Sequence, residues 1–214
     1  MRNLIKQSLI QQDVPVHQFI PQGALHVGDI NKRSLSALRP AAVLLPLVEH
    51  PTGMSVILTQ RTKHLHHHAG QVCLPGGTAD AQDAGPIATA LRETEEEIGL
   101  PAQKIEIAGY LDVYETLSGF SVTAVVGFIQ PEFDLKLDTF EVADVFEVPL
   151  NFIMDPTNYQ TYPGSWHGRQ NLYLSYQDRV IWGITAGILI NFRDRLHAKF
   201  STQGRRTPSL SKSF

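Results

Sequence analysis

A single cysteine, Cys73, stands in 214 residues, so the chain cannot close an internal disulfide, which suits a reducing compartment. No charge of one sign dominates: 18 Lys and Arg face 21 Asp and Glu, for a formal net charge of −3. The strongly basic balance typical of nucleic-acid binders is therefore missing. Long apolar runs are missing too. The longest late one, VIWGITAGILI at residues 180–190, falls well short of the roughly 20 residues that span a bilayer. The opening MRNLIKQSLIQQD is interrupted by Lys6, Gln7, Gln11 and Gln12 and carries no small-residue cleavage motif, so it does not read as a signal peptide. These absences leave a soluble, cytoplasmic protein as the expectation, with neither nucleic acid nor membrane as a partner. The length and a 43% hydrophobic content fit one globular domain with additions.

Along the chain, residues 3–12 read as a short helix and residues 21–29 as loop. The apolar run AAVLLPLVEH and the segment SVILTQRT flank a PTG turn and predict a pair of strands. KHLHHHAGQV reads as a loop, and PGG as a break. A helix is expected over Pro86–Ile98, with Pro86 in its first turn and Gly99 just past its end. KIEIAGYLDVYE, FSVTAVVGFI, DVFEVPL, NLYLSY and RVIWG read as further strands, with a turn at Ser118 and Gly119. TAGILINFRDRLHAKF has helical spacing, and the polar tail 201–214 reads as loose. This order predicts an α+β fold, a sandwich of helices packed on a mixed sheet. Its parts are an N-terminal extension (1–40), a main domain (41–200) and the tail.

The segment RETEEEIGL holds four glutamates in five positions. At about 100° per residue, Ile87, Leu91 and Ile98 share one stripe, and Glu93, Glu96 and Glu97 share the face opposite. An ordinary solvated face would explain acids alone, but such faces mix Lys with Glu, and no Lys lies between Pro86 and Gly99. The acids also crowd the C-terminal end, where the helix dipole and their mutual repulsion disfavour them. A divalent cation would reverse that cost, since Mg²⁺ takes one or two carboxylates together with waters or phosphates. The preceding loop, LPGGTADAQDAG, supplies adjacent glycines that permit close backbone approach, plus Asp80 and Asp83.

These residues carry a resemblance. Gly77, Asp83, Arg92, Glu93, Glu96, Glu97, Gly99 and Leu100 form G-x5-D-x8-R-E-x2-E-E-x-G-L, which is similar to the Nudix box, G-x5-E-x7-R-E-U-x-E-E-x-G-U with U apolar. Asp83 replaces a Glu, the spacer before Arg92 is one residue longer, and Thr94 replaces an apolar residue. Upstream, ILTQRTKHLHHHAGQVCLPGG resembles the signature of the coenzyme A pyrophosphatase branch, L-L-T-x-R-[SA]-x3-R-x3-G-x3-F-P-G-G. Leu58, Thr59, Arg61, Gly70, Pro75, Gly76 and Gly77 match it, whereas Thr62, His66 and Leu74 depart from it. The likeness runs over about residues 41–190.

The resemblance implies a Nudix-type α/β/α sandwich and Mg²⁺- or Mn²⁺-dependent hydrolysis of a pyrophosphate bond. For coenzyme A the products would be 3′,5′-ADP and 4′-phosphopantetheine. It implies Glu93, Glu96 and Glu97 as metal ligands and a small-molecule substrate, coenzyme A or a related nucleotide pyrophosphate. Arg61, His66, His68, Gly70, Gly76 and Gly77 become candidates for binding that substrate. Arg92 is expected to orient Glu93 or Glu96. The general base is left between Glu93 and Glu141, the latter otherwise a surface acid before a strand. His66 stands where the branch carries Arg, and a smaller, partly charged ring predicts a weaker grip on a 3′-phosphate. His64, His66 and His68 leave three readings open: a phosphate-facing loop, a plain surface loop, or zinc ligands. Tyr110, Tyr114, Phe120, Trp166 and Tyr173 could stack on a base or simply pack. Rival functions are hydrolysis of ADP-ribose, a dinucleotide or a nucleotide triphosphate, and a non-catalytic nucleotide-binding regulatory module. The terminal segments leave a homodimer interface open.

Overall fold

The computed structural model of the chain describes residues 1–11, 38–116, 118–161 and 172–203, with side chains to residue 200. The expected loop at 21–29, Trp166 and most of the polar tail lie outside them. Strand β1 (Arg39–His50) turns through Pro51 and Thr52 into β2 (Gly53–Arg61), as the PTG signal predicts. Two short pieces follow, β3 (Val72–Cys73) and β4 (Gly76–Thr78), before helix α2 (Pro86–Ile98). Next come β5 (Ile105–Glu115), β6 (Phe120–Ile129), β7 (Val142–Pro149) and the short helix α3 (Leu150–Met154). A small second sheet, β8 (Tyr159–Thr161), β9 (Leu172–Tyr176) and β10 (Arg179–Ile181), precedes the long helix α4 (Gly183–Gln203). The N-terminal helix α1 spans Arg2–Ser8.

Among the described residues the main sheet has seven strands, with β3, β2, β1, β6 and β5 in order. β1 and β6 run parallel over ten paired positions, from Arg39 opposite Phe120 to Val48 opposite Ile129. On its other side β1 is shared: its beginning pairs with β4 and its end with β2. β7 adds to the far side of β2. Both faces of this sheet are covered, which is why its strands read as near-continuous apolar runs rather than alternating ones. Leu45, Leu47, Val56, Leu58, Val126 and Phe128 point toward Ile5 of α1 and Leu189, Phe192 and Leu196 of α4. Their neighbours Leu44, Val48, Ile57, Val125 and Ile129 pack instead with Ala90 and Ile98 of α2. The two-residue alternation of the pleat thus builds two cores, one per face. The fold is the expected mixed-sheet sandwich between helices.

The acids hang from α2, and its end is firmly set. Gly99 takes the left-handed conformation at φ 70°, and its amide donates to the Glu95 carbonyl. The segment after β6 then crosses the helix end. Lys136 N donates to the Ile98 carbonyl and Asp138 N to the Glu97 carbonyl, satisfying groups that a helix C-terminus leaves unpaired. That same segment leads into Glu141, at the threshold of β7.

The sequence did not reveal β3, β4, β8 or α3. Gly76 and Gly77, read as a break, instead form most of β4, because the start of β1 offers a free edge to their backbone. Among the described residues no helix is long and apolar enough to cross a membrane.

Candidate active site

The acidic helix is not arranged as its periodicity suggests. Glu97 is only 6% exposed, and Ala90, Thr94 and Ile98 are buried beside it. Ile87 and Leu91 are only partly buried. The arc of three acids therefore does not face away from the core. Strand β4 closes over part of it, and Gly76 N donates to Glu97 Oε2 at 3.2 Å. Glu93 is half-buried at the edge of the arc, and Glu96 stays exposed. The sequence pattern grouped the three correctly on one arc but could not register a strand lying across it.

Gly77 is where the close approach happens. A Cβ at this position would run into the Glu93 carboxylate, so no other residue lets β4 lie there without moving that group. Burial raises the pKa of Glu93, and the hydrogen bond and charge of Arg92 pull the other way. Burial pushes Glu97 further, up to about 7, against the Gly76 amide and the Arg61 charge, with Glu93 and Glu141 adding to the rise.

Two arginines hold these acids. Arg92 donates through Nη1 to Glu93 Oε1 at 2.9 Å and to Glu96 Oε2 at 3.0 Å. Its Nε and Nη2 grip Asp83 as a fork, at 3.1 and 2.9 Å, and Nη2 also reaches the Thr78 carbonyl at 3.1 Å. Asp83 thus anchors Arg92, and hydrogen bonding from Arg92 holds its carboxyl down to about 2. Thr89 Oγ1 and the Asp80 amide also donate to it. The sequence left Asp83 without a role. The only available signal was an acid near the position of the family's first Glu.

The second arginine, Arg61, reaches from the end of β2 to Glu97 Oε1 and to Glu141 Oε2, each at 3.4 Å. The loop after β2 is tied at its neck, where Arg61 N donates to Gln71 O at 2.9 Å and Gly70 N to Thr62 O at 3.3 Å. Thr62 N in turn donates to the Glu141 carbonyl at 2.9 Å. The His64 ring lies 4.8 Å from that of Phe140, so the histidine loop leans on the segment that carries Glu141. His66 and His68 are exposed, and His68 Nδ1 pairs with Gln71 Oε1 at 2.8 Å. The structure therefore brings Arg61, Gly76, Gly77, Glu93, Glu97, Arg92 and Glu141 together, with Glu96 at their edge. His66, His68 and Gly70 sit in the adjoining loop.

Other candidates fall elsewhere. Tyr110 and Tyr114 are buried, and the Tyr114 hydroxyl donates to Gly187 O at 2.8 Å. Arg39 covers the Phe120 ring at 4.0 Å, and Tyr173 donates to Gln160 Oε1 at 2.6 Å. Burial pushes the Cys73 thiol up to about 11, so it is a poor nucleophile near neutral pH.

Among the described residues no three His, Cys, Asp or Glu side chains converge as a ready-made metal cage. The donor set still fits a hard cation. Glu97 is a buried carboxylate with one amide donor and one long arginine contact, and its burial is relieved by positive charge brought close.

An α+β sandwich with a glycine-rich strand laid over an arginine-clamped glutamate helix is the arrangement expected of the hydrolase class that the motif residues resemble. A family profile described as NUDIX domain matches residues 38–164. The chain belongs to the Nudix hydrolase family, whose members generally use divalent metal ions. It is 39% identical over 178 residues to an uncharacterized Nudix hydrolase NudL of Photorhabdus laumondii, covering 82% of this chain and 95% of that one. It is 38% identical over 180 residues to the uncharacterized NudL of Escherichia coli K12, covering 83% and 93%. A solved C. elegans Ap4A hydrolase overlaps it with a TM-score of 0.49 at 14% identity, covering 77% of this chain and 98% of that one.

Proposed function

We propose that the protein hydrolyses the pyrophosphate bond of coenzyme A and its derivatives, giving 3′,5′-ADP and 4′-phosphopantetheine. The observation that carries this reading is the position of Arg61. The signature segment 57–77, which resembles the coenzyme A pyrophosphatase branch, delivers that arginine directly onto Glu97 and Glu141. This adjacency supports reading the segment and the acids as parts of one site.

Glu93, Glu96 and Glu97 would hold Mg²⁺ or Mn²⁺, which when bound neutralises pyrophosphate charge and lowers the pKa of a bound water. The chain's own groups do the rest. Arg92, anchored on Asp83, fixes the orientation of Glu93 and of the exposed Glu96. The Gly76 amide fixes Glu97. Glu141 is the better candidate to take the proton from water, because its side chain is 42% exposed with one long contact, whereas Glu93 is packed on Gly77 and bound by Arg92. Arg61, with Gly70 and the histidine loop beside it, offers donors to the substrate phosphates. His66, in place of the branch's Arg, favours a second reading: the same hydrolysis on another nucleoside diphosphate-linked substrate, such as ADP-ribose or a dinucleotide.

The test is Glu97→Gln, assayed for coenzyme A hydrolysis with Mg²⁺ and with Mn²⁺. We expect a folded protein whose kcat falls at least about a hundredfold, the scale of losing one main stabiliser of developing charge. Near-full activity would contradict the assignment of the acids.

A further inference from the structure

Arg61 is held unusually loosely for an arginine set between two carboxylates. It ends β2, and the pairing with β7 slips just there: Gln60 faces Asp144 while Arg61 faces Val142, leaving Ala143 as an extra residue. Such a bulge bends the strand and re-aims the side chains around it. The guanidinium then reaches Glu97, from the last turn of α2, and Glu141, from the segment before β7. Both contacts are 3.4 Å long, against about 2.7–2.9 Å for a charge-assisted pair. Its Nε is buried with no hydrogen-bond partner, although the side chain as a whole is 21% exposed. Arg92, a few residues away on α2, shows the contrast: it grips Asp83 as a fork and has partners for Nε, Nη1 and Nη2.

A group placed in this way is held by charge more than by directed bonds. Burial makes a charge on Glu97 costly, the charges of Glu93 and Glu141 add to that cost, and positive charge held nearby offsets it. A guanidinium spreads one positive charge over a plane. A divalent ion concentrates two at a point and binds carboxylate oxygens more closely.

We infer that Arg61 is a built-in counter-ion, which masks Glu97 and Glu141 until a divalent cation displaces it toward the substrate. This rests on the proposed use of Glu97 to hold the cation. Three consequences follow from the geometry. The substrate-free protein binds its cation weakly, because Arg61 must first give up Glu97. Once displaced, the guanidinium carries an unpaired charge beside the anionic phosphates, so cation and substrate favour each other's binding. Its departure also frees Glu141 to accept a proton. Arg61 is thus a positioning residue for the metal site as well as a donor to the substrate.

The experiment is an electron paramagnetic resonance titration of Mn²⁺ into the substrate-free full-length chain. Wild type is compared with Arg61→Gln and Arg61→Met, which remove the charge, and with Arg61→Lys, which keeps it; thermal melts confirm folding. We expect both neutral variants to bind Mn²⁺ about tenfold more tightly than wild type, within the usual range of coupling between sites. Arg61→Lys should stay close to wild type, and the neutral variants should show a raised KM. Unchanged or weaker Mn²⁺ binding by the neutral variants, with wild-type binding intact, overturns the inference and leaves the proposed function standing. No Mn²⁺ binding by any of the four proteins overturns both.

Discussion

Glu97 bears most of the electrostatic strain of the site, and its charge can be followed by pH. Its pKa rises from an ordinary 4.5 to about 7 through burial, so folding makes this carboxyl take up a proton. The stabilising contribution of such a group is full below about pH 4 and is lost as the pH climbs through 7. Glu97→Gln keeps an acceptor for the Gly76 amide and never ionises. With a chelator present, it should melt several degrees above wild type at pH 8, a gain of up to about 3 kcal/mol. Most of that gain should vanish at pH 5; calorimetry at both values is the check, and an equal gain at both would exclude the buried charge as its cause. The same substitution that stabilises the fold should abolish function, the usual exchange at an active site. Asp83→Ala tests the clamp on Arg92. It should lower kcat about 10- to 100-fold, the range for groups that orient metal ligands, with KM nearly unchanged and a loss of about 1–3 kcal/mol in stability, because Arg92, Thr89 and the Asp80 amide lose their acceptor. The grouping of the three acids was legible, because residue type and spacing alone put them on one arc. The function of Asp83 was not, because its meeting with Arg92 depends on the turn that Asp80 and Asp83 build ahead of the helix.

At the scale of elements, helix α2 was readable from its ends, since Pro86 and Gly99 act through local backbone geometry alone. β1, β2 and β6 were readable because a sheet covered on both faces writes apolar runs, and β5 and β7 from their apolar and β-branched residues. β3 and β4 hold two and three residues, too few for any period to show, and β4 exists only because β1 presents an edge to it. That small strand decides which of the acids is buried, so the least legible element controls the most consequential residue. Gly99 shows how tightly the helix end is seated: a Cβ there would press on the backbone of Lys136, and its φ of 70° already disfavours one. Gly99→Ala should destabilise the fold by about 1–3 kcal/mol in a denaturant titration and lower activity with it, since the last turn carries Glu96 and Glu97. A loss of activity without loss of stability would mean that Gly99 acts on the substrate directly.

Across the whole molecule, the acids depend on one face of the sheet, and the opposite face is bound by a separate network. Asp112 of β5 accepts from Arg195 Nη2 at 2.6 Å and from Asn191 Nδ2 at 2.7 Å, both on α4, and Arg195 Nη1 donates to Ser8 O at the end of α1. Arg195→Ala should therefore cost about 1–3 kcal/mol of stability in a denaturant titration yet leave the folded protein's KM unchanged. A change in KM would show that the two faces are coupled. The order of strands and helices foretold the layered fold, and the motif residues foretold the family. The substrate was less accessible, because the segment proposed to recognise it departs from the branch's pattern at the exposed His66. The most direct measurement is a substrate panel with product analysis: coenzyme A, acyl-coenzyme A, ADP-ribose, NADH and deoxynucleoside triphosphates, each with Mg²⁺, Mn²⁺ or a chelator. The account predicts 3′,5′-ADP and 4′-phosphopantetheine from coenzyme A, formed with metal and lost with chelator. Turnover of ADP-ribose with none of coenzyme A would contradict it.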